Sequence, residues 1–419
     1  MWIFKKVKAG ALQYVLVISV VIALIVFAFI QLIHLQQRVN IKNIFFKEAV
    51  RNVQEGFDYL HDTKVDYGES QVQLSSNQQE QTSFNKKHWG VFDLVTITSK
   101  VKNEIFQKSA IVGNHNPKQN ALYLKENNMP LIVVGNTKIT GNASLPKQGV
   151  NTGNISGNSY YNNLLIYGRQ KLSSTSLPAV KNLSYLKTMR TSVFTNASDS
   201  YFELEEGLEK EQSFSEKTLY TIANAFLNVR DVTLKGNIIL CSNTKIKVSN
   251  SAVLEDVILV APVIEIAANT KGTFQAIASQ ELKVGKGCQL NYPSALVVIS
   301  KENKVSATNQ KPPLFIDSKS KIKGVVLFNA DDIKKSNFNQ QVVISKDVEV
   351  KGEVFCNRNL ELLGTVIGSV YTNKFITKQF GSTYVNHLYN AIINRKKLSN
   401  QYAGMLIENQ QQKVAKWVQ

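Results

Sequence analysis

The chain has 419 residues with 49 lysines and arginines against 31 aspartates and glutamates, a net charge of +18. That length allows a sizeable core in one large domain or two to three ordinary ones, and the charge attracts polyanions in general: acidic polysaccharide, anionic lipid head groups or nucleic acid, with no motif for a specific nucleic acid. Cys241, Cys288 and Cys356, an odd number without CxxC spacing, suggest neither a disulfide framework nor a zinc site and read as buried small hydrophobes.

Residues 1–10 form a basic leader with Lys5, Lys6 and Lys8. From Leu12 to Ile33 no charge occurs, and only Gln13, Ser19 and Gln31 are clearly polar. As a helix this run crosses roughly 30 Å of hydrocarbon. A cleaved secretory signal has a shorter apolar core and a small-residue site behind it, whereas here HLQQR follows. The basic residues before the span nearly balance Arg38, Lys42, Lys47 and Arg51 after it. The reading places the short N-terminus in the cytosol and the large domain outside, periplasmic or at the cell surface. Beyond the span, Ile41, Ile44, Phe45, Ala49, Val53, Phe57 and Leu60 recur at three- and four-residue steps. Residues 11–62 are therefore expected as one helix, transmembrane and then amphipathic. Residues 63–87, rich in Gln, Ser and Asn, read as a polar linker.

Residues 88–228 hold short strand-like runs, then Gly-Asn dipeptides at 135, 141, 153 and 157 that predict repeated turns. Within this region KTLYTIANAFLNV reads as a short helix. Residues 229–378 carry the repeat. VTLKGNIILCSN at 232 is echoed by VEVKGEVFCNRN at 348, and eighteen-residue blocks open with Ile246 and Val248, Ile264 and Ile266, Leu282 and Val284. Further partial echoes are TKITGNASL at 137, KIKGVVLFN at 321 and LELLGTVIGSVYTN at 360. Recurring V-x-V-x-G-x-V text suits a parallel β-helix, in which like residues stack from coil to coil and glycine supplies the bend. An antiparallel sandwich is the alternative. Residues 379–419 are expected as a partly helical tail capping the stack. The fold class is thus mainly β: a parallel β-helix, or solenoid, behind an N-terminal transmembrane α-helix.

Parallel β-helices include carbohydrate-cleaving enzymes, and Asp331-Asp332 resembles the paired aspartates of polygalacturonase-like enzymes, with Asp317 near in sequence. The His-Gly and Arg-x-Lys motifs of that family do not follow, since the only later histidine is His387. The pair reads as a solvated turn. The five histidines are scattered, and no Walker loop, GxGxxG or GxSxG occurs. No catalytic, cofactor-binding or metal residue is expected, and the chain reads as non-enzymatic.

The N-terminus resembles type IV prepilins and minor pilins: a short basic leader ending in glycine, then a long apolar helix. The resemblance implies cleavage between Gly10 and Ala11, with the helix packing against other pilin-like or envelope subunits. The glutamate usual at the fifth mature position is Val15 here. The I-x-G-x-V phrases resemble bactofilins, polymer-forming β-helical proteins. Together these lead to an expected membrane-anchored structural or adhesive component displaying a basic β-helix, with the lipid bilayer as one partner. The alternatives are a protein that binds or cleaves acidic polysaccharide and a membrane-tethered cytosolic scaffold.

Overall fold

The computed structural model describes residues 9–72, 80–189, 200–300, 311–331, 338–407 and 411–419. The chain divides into two compact units, one of Met1–Asp58, Ser70–Phe84 and Ile97–Gln107, the other of Tyr59–Glu69, Asn85–Thr96 and Lys108–Gln419.

The first unit contains most of the helix Ala9–Asp62. It is the one helix among the described residues long and apolar enough to cross a membrane. Its apolar side chains from Leu12 to Ile33 are exposed, as a lipid-facing surface requires. Further along, Ala49, Asn52, Val53 and Phe57 are buried. Gly56 lets the helix approach closely, since a Cβ there would lie 3.1 Å from Ile97 and 3.3 Å from Phe84. The continuous helix expected over 11–62 therefore forms, and its amphipathic part packs on strand residues of the same unit.

The larger unit is built on parallel strands that pair across successive passes of the chain and close on themselves. Three ladders run through it. In the first, Leu234, Leu254, Gly272, Leu290, Ile322, Val350 and Val366 stack in register. In the second the inward column is Leu240, Leu259, Ala276, Leu296, Val326, Val354 and Val370. The third stacks Ile246, Ile264, Leu282, Leu314, Val342 and Leu360. Apart from Gly272, which is half-buried, the members of these columns lie in one continuous core. The eighteen-residue blocks are thus successive passes, and the antiparallel alternative for this region is excluded by the parallel register of Val253–Ile266 on Lys271–Val284 and of that strand on Gln289–Ser300.

The two echoing phrases share the first ladder as far as their glycines. After the corner the stack aligns Leu240, not Ile238, with the column of Val354. Corner glycines are themselves stacked: Gly324, Gly352 and Gly368 are in register with φ of +142°, +148° and +152°. A Cβ on Gly368 would sit 1.7 Å from the Gly352 carbonyl oxygen, so only glycine fits this corner.

Chain order and stacking order differ. Val370 pairs with Leu122 and Ile393 with Ile139, and Leu122 in turn pairs with Ala143. The early segment 122–172 therefore continues the stack beyond its last sequential pass. It covers the end formed by residues 365–394, a layer to which the tail itself contributes through Ile392–Asn394, stacked on Thr365 and Val366. Among the described residues the tail holds no α-helix: it has the strands Ser382–Val385, His387–Tyr389 and Ile392–Asn394, a 3-10 turn at Arg395–Lys397, and the strand Gln411–Val418. The short helix expected at 217–229 is instead the strands Leu219–Ala223 and Leu227–Val229, which join the ladders. Their neighbours on the stack supply parallel partners that override local helical preference.

The stretch expected as a linker also carries strands, Gly68–Val72 and Glu80–Trp89. They belong to a five-stranded sheet with Phe92–Val101, Glu104–His115 and Gln411–Val418, the last two antiparallel. In the larger unit, sheet residues Trp89, Val91, Phe92 and Ile111 pack with the outward column Cys241, Val260, Ile277, Val297, Leu327 and Phe355 in a second core. The second ladder is thereby buried on both faces, which explains its unbroken apolar runs such as VILVA and ALVVI.

Candidate functional site

On the first ladder, alternation leaves every second side chain facing water. Register aligns Lys271, Gln289, Lys321 and Glu349 in one row and Lys323 with Lys351 in the next. The four lysines are exposed. Lys323 Nζ donates to Asn291 Oδ1 at 3.3 Å. Among the described residues no carboxylate lies within ion-pair distance of any of the four, although Glu349 is the register partner of Lys321 on the next strand.

Beside this row an open cleft of about 690 Å³ is lined by Asn250, Val253, Asn269, Lys271, Thr273 and Asn291, with Glu255 its one carboxylate. Lys416 Nζ donates to Glu255 Oε1 at 2.9 Å and to Asp256 Oδ2 at 2.7 Å. The bond from Lys416 holds Glu255 below the usual carboxylate range, while burial raises Asp256 against the same lysine. An ionised, occupied Glu255 is poorly suited to general-acid work. Amide, hydroxyl and ammonium donors along a cleft suit the binding of an extended ligand rich in hydroxyls and carboxylates.

The residues singled out in the sequence do not gather. Gly10 and Ala11 lie at the start of the long helix, exposed, and the lysines before them fall outside the described residues. Asp331 pairs with Lys187, and its carbonyl accepts from Arg358 Nη2 at 2.8 Å; Asp332 lies outside the described residues. Asp317 caps its own turn, accepting from the Ser318 amide at 2.6 Å. The cysteines are free and buried, and burial pushes the thiols of Cys241 and Cys356 up to about 12. Among the described residues no three His, Cys, Asp or Glu side chains group to hold a metal.

Two buried polar residues escaped the sequence reading. Gln275 and Glu353 occupy one outward column of the second ladder, with Ile239, Ile258, Ala295, Val325 and the buried Ser369 as its other members along these strands. Gln275 accepts from the Val91 amide and donates to the Trp89 carbonyl, both at 2.9 Å, and so clasps the hairpin between the first long strands of the sheet. Glu353 is fully buried and accepts from Gln119 Nε2 at 2.7 Å and the Met405 amide at 2.8 Å. Burial pushes its carboxyl up to about 7 against those two bonds and the field of Arg395. The available signal was a polar residue interrupting a two-sided apolar run, TFQAIA and GEVFC. No family model, curated protein or solved structure matches the chain, so its functional reading rests on its own residues.

Proposed function

We propose that this chain is a single-pass envelope protein of structural or adhesive type, pilin-like in its N-terminal segment, whose stacked parallel strands form a β-helix that presents a basic face to acidic polysaccharide outside the cytosol. The observation that carries this reading is the lysine row on the first ladder. Four exposed lysines on three of four successive strands, none in an ion pair, offer an extended polyanion several contacts along a face whose strands are spaced about 4.8 Å apart. The adjoining cleft adds neutral donors for sugar hydroxyls. The long apolar helix supports attachment to a bilayer, and the leader that ends at Gly10 supports pilin-like processing.

Protease shaving of intact cells tests the side of the membrane: digestion of the large domain is expected, and its protection while other envelope proteins are cut sends the reading back to a cytosolic scaffold. Retention of the solubilised protein on an acidic polysaccharide matrix, released by salt, tests the face. Equal retention on a neutral polysaccharide contradicts it. Mass analysis of the mature N-terminus is expected to begin at Ala11, and an intact Met1 removes the pilin-like element.

A further inference from the structure

The sheet of the larger unit encloses a group of polar side chains that the proposed function does not use. Lys86 on Glu80–Trp89 and Asp93 on Phe92–Val101 are both 0% exposed, and Gln412 on the C-terminal strand is 8% exposed. Lys86 Nζ donates to Gln412 Oε1 at 2.8 Å and to the Val65 carbonyl at 3.1 Å. The same Nζ lies 3.5 Å from Asp93 Oδ2. Gln412 Nε2 donates to that same Asp93 oxygen at 3.3 Å. One carboxylate oxygen therefore touches both an amine and the nitrogen of the carboxamide beside it.

The surroundings hold this triad in place. Tyr67 Oη donates towards Asp93 at 3.1 and 3.2 Å and is 2.9 Å from Asn182 Oδ1, and Asn182 Nδ2 donates to Asp93 Oδ1 at 3.0 Å. His88 Nδ1 is 3.5 Å from Asp93. Lys86 and Lys181 face the Tyr67 ring at 5.1 and 5.4 Å. Burying an ammonium and a carboxylate costs several kcal/mol unless the geometry repays it. A salt bridge alone would not need a carboxamide placed across both partners.

We propose that Lys86 and Gln412 form an intramolecular isopeptide bond, with Asp93 as the proton relay. Lys86 gives a proton to Asp93 Oδ2, and the neutral Nζ adds to Gln412 Cδ. The adduct collapses with loss of Nε2, which receives the proton from Asp93 and leaves as ammonia; the second proton still on Nζ passes by way of Asp93 to that ammonia, which departs as ammonium. A Cδ–Nζ bond replaces the Cδ–Nε2 bond, and the net change turns one ammonium and one carboxamide into a secondary amide and an ammonium ion, with no oxidant or cofactor. Burial favours the step: it pushes the Lys86 amine down to about 8, so the nucleophilic form is accessible, and holding the reactants in contact supplies a high effective concentration. Asp93 stays below its ordinary range through its bonds and the lysine fields despite its burial, so it begins as the base. The product would tie together two strands that are not neighbours in the sheet, whose order places Phe92–Val101 and Glu104–His115 between them. In a chain that bears load, such a tie keeps the C-terminal strand from peeling away.

The test is peptide mapping of the full-length protein purified from membranes. Trypsin is expected to miss Lys86 and to yield the segment 65–87 joined to 398–413, lighter than the two together by about 17 Da, the mass of ammonia lost on acyl transfer. Lys86→Arg keeps a buried cation against Asp93 and Gln412→Glu keeps the side-chain shape; both are expected to abolish the joined peptide while leaving the circular dichroism spectrum unchanged. Asp93→Asn is expected to leave most of the protein unjoined, and full joining in that variant overturns the relay. Recovery of separate, unmodified 65–86 and 398–413 peptides from folded wild-type protein overturns the bond itself.

Discussion

Glu353→Gln offers a quantitative probe of the second core. In the folded chain burial lifts the Glu353 carboxyl from an ordinary 4.5 to about 7. Between those values the folded state keeps a proton that the unfolded state releases. Its contribution is therefore fully present below pH 4.5 and is lost as pH rises through 7. The shift, 7 minus 4.5, corresponds to about 3 kcal/mol at about 1.4 kcal/mol per pH unit. Glutamine is neutral at every pH and fills the same space. Gln119 can turn its amide to accept from the new side chain, because its other neighbour, the Tyr371 hydroxyl, can donate as well as accept. Urea unfolding of the detergent-solubilised full chain should show wild-type stability falling relative to the variant between pH 5 and pH 8. The variant should gain up to about 3 kcal/mol at pH 8, with little difference at pH 4.5. Because other groups titrate in both proteins, the difference between them is the readout. Parallel pH profiles would refute the reasoning, since they would mean that Glu353 is ionised in the fold at no cost.

Leu296→Ala removes a fully buried member of the inward column of the second ladder and should cost about 2 to 5 kcal/mol in the same unfolding experiment. Gly368→Ala puts a methyl group 1.7 Å from the Gly352 carbonyl oxygen and should cost roughly 2 to 4 kcal/mol; a stability within error of wild type would show that the corner can relax. Reversing Lys321, Lys323 and Lys351 to glutamate should weaken retention on acidic polysaccharide without changing the far-ultraviolet spectrum, and wild-type retention should fall steeply with salt. Gly90→Ala drives a Cβ to within 2.1 Å of Gln275 Oε1 at a residue with φ of +63°. Faster hydrogen exchange at the Val91 amide, which Gln275 accepts, is the expected sign that the clasp has opened.

The sequence determined by itself whatever rests on local period. An uncharged run from Leu12 to Ile33 announces a helix suited to lipid, and the three-and-four spacing from Ala49 to Phe57 carries that helix onward. The openings at Ile246, Ile264 and Leu282 announce passes that stack in register, because a parallel ladder repeats the same inward position at each turn of the chain. Tertiary structure alone decided where polar residues stand in for apolar ones. In QTSFNKKHW the buried face of the strand is Thr82, Phe84 and Lys86, so its alternation is hidden from hydropathy and the stretch reads as a linker. Lys86 is tolerated there only because Asp93, Val65 and Gln412, far apart in the chain, meet it. The stacking of 122–172 beyond residue 365 is likewise invisible in sequence order, since a parallel ladder needs a matching edge and not a neighbouring segment. Period is written along the chain, whereas the partner that satisfies a buried donor or an open strand edge is fixed only when distant segments come together.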